Sequence, residues 1–264
     1  MVKSSLLPAL LAATLTTLAS ADPAVSPPSG KKVDGGEPKK TAPSPPAGGT
    51  EAAKTPLPAP AIKSLGGTRH ELNGIQFDRK TRVISLPAKV NMTEGLLEYA
   101  LVHDSGKVHE SLLSTSISPY DLNVVLLLVN YQPSAAFFDL RDKKAGAVLV
   151  KSPKIEPQAK LSVTLEWKDP AGQAKSASLE SLLLNIDQKG PAKEGPFIYT
   201  GSMLMDDGTF MAKETGSILA LYADAASLIN NPREGNENDD AWICDPKKVP
   251  AKDTDVTLIL NPSP

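Results

Sequence analysis

The chain has 264 residues, enough for one good-sized domain or two small ones. Its 28 basic and 30 acidic residues leave a net charge of -2, and aromatic residues make up only 5%. Such a balance argues against a broad pull toward nucleic acid or anionic membrane, and against a base-stacking surface.

The N-terminus reads as a secretory signal peptide over residues 1–21. Lys3 supplies a short positive region, Leu6 to Leu18 is apolar, and Ala19-Ser20-Ala21 fits the small-x-small cleavage pattern. Cleavage would start the mature chain at Asp22, so a secreted protein is expected, periplasmic or extracellular. No later segment reaches about 18 uninterrupted apolar residues, so no membrane span is expected in the mature chain. Residues 22–61 read as a disordered, proline-rich linker. They hold ten of the 24 prolines and no aromatic residue. Such a stretch cannot bury enough apolar surface to offset chain entropy, and its Pro-rich pieces favour extended conformations.

From residue 62 to the C-terminus the pattern is that of a single globular domain. Ile75 to Asp78 and Thr81 to Leu86 read as short strands, with Pro87 ending the second or placing it at an edge. Leu96 to His103 alternates as a strand. The stretch from Asp104 to Lys107 has turn chemistry, and Val108 to Ser114 reads as the returning strand of a hairpin. Ser118 and Pro119 are start signals for a helix over Tyr120 to Asn130, whose apolar content predicts burial. Ala135 to Leu140 is apolar without a clear period.

Lys160 to Lys168 is a clear strand, with Leu161, Val163, Leu165 and Trp167 on one face. A turn at Asp169 to Gly172 leads to a return at Lys175 to Ser178. Leu179 to Asn185 reads as a short helix, and Ile186 to Pro196 as a charged loop. Phe197 to Met203 and Ser217 to Tyr222 read as strands. Asp224 is placed to cap a short helix through Ile229, and Val256 to Leu260 forms the last strand. Strands outnumber dispersed helices, so the expected fold class is α+β, with a mainly antiparallel or mixed β-sheet and a few short helices.

Several stretches together resemble the YdjY-type domain, a bacterial family of mostly exported proteins. They are VNMTEGLLEYALVHDSGKVHESLL from Val90 to Leu113, GPFIYTGS from Gly195 to Ser202, GSILALYADAASLINNP from Gly216 to Pro232, and the C-terminal VTLILNPSP. The resemblance covers roughly Leu72 to Pro262 and implies no particular activity. Some relatives carry ferredoxin-like names, which would imply clustered cysteines. This chain has one cysteine, Cys244, so no iron–sulfur cluster and no internal disulfide is expected. Cys244 reads as a small, partly buried apolar residue.

Four residues are ligand-binding candidates: Glu94, His103, His109 and Glu110. Across an antiparallel hairpin His103 and His109 would face each other, and with Glu110 they would suit zinc or another transition metal. Their spacing matches no established zinc motif, so no metal or other cofactor is expected. The same residues also suit a polar cluster beside a tight turn, with Glu110 partly buried against a histidine or backbone amides. Gly95 suggests an unusual φ and Glu94 a contact to His109. Asp206 to Gly208 and Glu237 to Asp240 are oxygen-rich but lack the alternating calcium-loop pattern. No nucleophile elbow, phosphate-binding glycine loop or metalloprotease motif is present. The expectation is therefore an exported non-enzymatic domain that binds a protein or cell-envelope component. The alternative is a metal-dependent or acid/base enzyme using His103, His109 and Glu110.

Overall fold

Period-two patterning builds most of the molecule, beginning with a meander. In the computed structural model, which describes residues 61–134, 136–139, 148–149 and 154–264, strands β1 (Lys63–Gly66), β2 (Arg69–Leu72) and β3 (Ile75–Asp78) run antiparallel into β4 (Ile84–Val90). The leader read at residues 1–21, nearly all of the linker read at 22–61, and both ends of the apolar stretch at 135–140 lie outside the described residues. Next come β5 (Tyr99–His103), β6 (Ser111–Thr115) and helix α1 (Pro119–Leu128). The two-residue strands β7 (Phe138–Asp139) and β8 (Val148–Leu149) pair with each other. A long hairpin joins β9 (Lys160–Lys168) to β10 (Ala174–Ser178). Strands β11 (Leu183–Asn185) and β12 (Gly190–Pro191) form a small sheet that β16 (Trp242–Cys244) completes. The remaining elements are β13 (Phe197–Tyr199), helix α2 (Met211–Thr215), β14 (Ser217–Ala220), β15 (Ile229–Asn230) and β17 (Asp255–Pro262).

The main sheet closes on itself. The path β4-β17-β9-β13-β15-β14-β5-β6 returns to β4 through pairing of Lys89 with Ser114 and Val90 with Leu113. This corrects the α+β expectation: the fold is mostly β, built on a closed eight-stranded barrel, and helix makes up only 13% of the described residues. Alternation marks where strands lie but carries no information about which strand is the second neighbour of β4. Eight strands enclose a space that side chains can just fill. Ile84, Leu86, Leu101, Leu113, Val163 and Leu258 are all at most 1% exposed and belong to the one large core.

Pro87 does not end β4. β17 pairs with β4 along its whole length, while on the other side β3 gives way to β6. Pro87 sits at that handover, and its carbonyl accepts the Thr115 hydroxyl at 2.6 Å. Its missing N–H therefore faces a gap in the ladder, where nothing needs it.

Two of the expected short helices are absent. Leu179–Leu182 is a single 3-10 turn that leads into β11, and Ile229 belongs to β15. Asp224 still performs cap chemistry, accepting the Ala226 amide at 2.8 Å and the Ser227 hydroxyl at 3.1 Å, but the chain turns into a strand.

The expected hairpin is also different. β5 and β6 are parallel, with Tyr99 opposite Ser111 and His103 opposite Thr115. Parallel neighbours usually need a connection of about a dozen residues or more. Here Asp104 to Glu110 suffices, because a 3-10 turn at Val108–Glu110 brings the chain back along β5. The connection lies over the outer face of that strand, where Val108 and Tyr222 pack on Tyr99, Val102 and Ala220. Strand β5 is thus covered on both faces. β14 and β15 form a second parallel pair with an equally compact connection, Leu221 to Leu228.

Helix α1 starts at Pro119, as its start signals require, and buries Leu122, Val125 and Leu126. Asn130 ends it in the left-handed conformation, φ 63°. Arg82 ties its C-terminus to the barrel: Nε donates to the Val129 carbonyl at 3.0 Å and Nη2 to the Asn130 carbonyl at 3.1 Å. The expected burial holds for one side only, since Tyr120 is 50% and Leu127 49% exposed.

Candidate functional site

The antiparallel register of β14 on β5 puts Ala220 opposite Tyr99. Ser111 lies opposite Tyr99 on the other side. One compact connection therefore arrives at the Tyr99 end of the barrel and the other departs from it. Their polar side chains meet there.

Lys107 is the hub. Its ammonium lies 3.1 Å from Glu98 Oε2 and 3.8 Å from Glu110 Oε2, and stands over the Tyr99 ring at 5.1 Å. Burial alone would lower the Lys107 pKa, but its hydrogen bond to Glu98 and the surrounding negative groups outweigh it and raise the value. Glu98 moves the other way from most paired acids. Burial raises its pKa, and a hydrogen bond with the Glu110 carboxyl adds to the shift, against the lowering by Lys107. Glu110 Oε2 is buried and accepts no hydrogen bond.

A second polar group adjoins the first. The Tyr99 hydroxyl donates to Asp224 Oδ2 at 3.1 Å and lies 3.1 Å from the Tyr222 hydroxyl. Burial pushes both phenols well above their ordinary range, so they are neutral donors at any physiological pH. Asn230 fixes the connection, accepting the Asp224 amide at 2.8 Å and donating to the Asp224 carbonyl and to Thr200 Oγ1. Asn91 does the same for the other connection, donating to the carbonyls of Val108 and Ser111.

The four sequence candidates do not converge. Glu110 is partly buried and pairs with a histidine, its own neighbour: His109 Nε2 lies 2.9 Å from Oε1. The His109 side chain is otherwise 73% exposed. His103 sits at the opposite end of β5, roughly 13 Å away at a strand's rise per residue, and its Nδ1 bonds Ser105 at 2.8 Å. The parallel register is the reason, since an antiparallel return would have brought the two rings together. Glu94 is exposed in the loop ahead of β5, where Gly95 has φ 89°. It lies near Cys244. Burial raises the pKa of that thiol, and the charges of Asp245 and Glu94 add to it. Among the described residues no group of three or more His, Cys, Asp or Glu is placed to hold a metal ion.

The oxygen-rich loops serve their own turns. Asp207 Oδ1 accepts the Thr209 amide, Glu237 Oε2 the Gly235 amide and Asn238 Oδ1 the Asp240 amide. A groove of about 830 Å³ crosses the outer strands β4, β17, β9 and β10, and none of the four candidates lines it.

Glu98, Tyr99, Lys107, Tyr222 and Asp224 were not among the sequence candidates for the site. Their one shared signal was position, since all five fall in the two longest stretches of family resemblance, Val90 to Leu113 and Gly216 to Pro232.

Fold and site define a closed β-barrel domain whose two short parallel crossovers meet in an ion-paired cluster. The chain belongs to the YdjY domain family, whose model matches residues 75–261. No curated protein and no solved structure matches it.

Proposed function

We propose that the chain is an exported, non-enzymatic domain that binds a protein or cell-envelope component through its outer surface. The observation that carries this reading is the closure of the polar cluster on itself. Lys107 spans Glu98 and Glu110, and His109 occupies the remaining Glu110 oxygen. The barrel interior behind it is filled by apolar side chains. The charges of the cluster are thus paired with one another. The leader pattern at residues 1–21 and the Pro-rich stretch after it support export and tethering.

A second reading, an acid/base enzyme at Glu98 and Glu110, draws on the raised Glu98 carboxyl, which suits proton transfer. Its metal-dependent form loses its geometric basis with His103 and His109 at opposite ends of β5.

Co-sedimentation of the full chain with purified envelope fractions separates the readings. The expected result is retention in the pellet, unchanged by Glu98→Gln or Glu110→Gln, with no soluble product released. Product release that Glu110→Gln abolishes would replace the binding reading by the enzymatic one. A zinc-dependent rise in melting temperature lost in His109→Ala would restore the metal form. Export is checked by finding the processed chain, beginning at Asp22, outside the cytoplasm.

A further inference from the structure

Helix α1 carries apolar residues on its outward side as well as on its buried one. Along this side run Tyr120, Val124 and Leu127, a stripe in which Val124 is half-buried against the core while Tyr120 and Leu127 are about half exposed. The stripe continues onto the segment before α2. Tyr120 packs edge-on against Phe210, with ring centroids 6.1 Å apart. Phe210 bridges to Leu204, which is 71% exposed, and Met205 follows at 46%. Single exposed apolar residues need no explanation, but a contiguous set of this kind marks an interaction surface.

Charge selects the occupant. Asp206 and Asp207 directly follow Met205, Glu214 lies on α2 and Asp121 beside Tyr120, against Lys213 on α2 and Arg82 at the C-terminal end of α1. A second copy would bring like charges together, and an anionic membrane would be repelled. We propose that this face docks a polypeptide segment whose apolar side chains are flanked by lysine or arginine. Leucine-sized side chains fill the stripe between Tyr120, Leu127 and Leu204, and the flanking bases meet the acidic border. The proposal rests on the binding reading above and gives it a place and a partner chemistry.

The test titrates the full chain with two fluorescent amphipathic peptides that share a leucine face and carry either lysine or glutamate opposite it. The lysine peptide is expected to bind at least tenfold more tightly. Added salt should weaken it, because the charge contribution is screened. Leu204→Ser and Leu127→Ser should each reduce binding tenfold or more without changing the melting temperature, since both side chains are exposed. Asp206→Asn with Asp207→Asn should reduce the preference for lysine. Equal affinity for the two peptides, or no binding of either, overturns the proposal. So does partition onto phosphatidylcholine vesicles that Leu204→Ser abolishes, which assigns the face to a membrane. Self-association abolished by the same variant assigns it to a second copy, and binding that appears only after residues 1–60 are cleaved off assigns it to that segment. Envelope turnover that depends on Glu110 would end the non-enzymatic reading while leaving the docking face standing.

Discussion

Gly106 and Gly216 meet backbone to backbone, and a Cβ on Gly216 would lie 2.8 Å from the Gly106 Cα. The contact lets the connection from β5 to β6 lie flat against the start of β14. It is what makes so short a parallel crossover possible.

Gly216 also has φ 73°, so a side chain there is both strained and in collision. Gly216→Ala should cost about 2–4 kcal/mol in denaturant unfolding. Gly106→Ala meets the Thr215 carbonyl at 3.0 Å and should cost less, about 1–2 kcal/mol. Equal stability of wild type and both variants would show that the crossover does not depend on this approach.

Glu98 makes stability depend on pH with a definite sign. Its pKa in the folded chain is raised above the ordinary glutamate value of 4.5. A group of this kind contributes stability that is fully present below the unfolded value and lost as pH rises through the folded one. Glu98→Gln keeps the shape of the side chain and removes the titration. It should flatten the stability profile between acidic and neutral pH, and cost less than about 1 kcal/mol at neutrality. A variant profile as steep as that of the wild type would assign the dependence to another group.

Arg82 should be the most important single cation for the helix. Arg82→Ala removes two hydrogen bonds to the end of α1 and a guanidinium stacked 4.3 Å over Tyr131. The expected loss is about 2 kcal/mol in denaturant unfolding. Arg82→Lys should recover only part of it, because an ammonium lacks the planar fork. Full recovery by lysine would mean that charge alone holds the contact.

Cys244 should be inert. It is 2% exposed, and burial raises its thiol pKa. A thiol reagent should modify it only at the rate at which the domain opens, with rapid labelling in denaturant. Fast labelling of the folded protein would place the thiol in a reactive setting.

The family, the positions of β3, β5, β9, β14 and β17, and the buried character of Leu101 and Val163 were legible in the sequence, because each follows from local composition or from alternation along one strand. Helix α1 began where Ser118 and Pro119 placed it, and Glu110 paired with a histidine. Closure of the barrel was not legible: it depends on β4 meeting β6, a pairing that alternation does not encode. The direction of β6 was decided at a distance as well. The turn residues from Asp104 to Lys107 suit a hairpin by themselves, and only the close approach of Gly106 to Gly216, over a hundred positions away, lays the connection along β5 instead. That reversal separated His103 from His109 and gathered Glu98, Lys107, Glu110 and Asp224. Local chemistry sets what each segment prefers, and packing between distant segments sets which preferences are used.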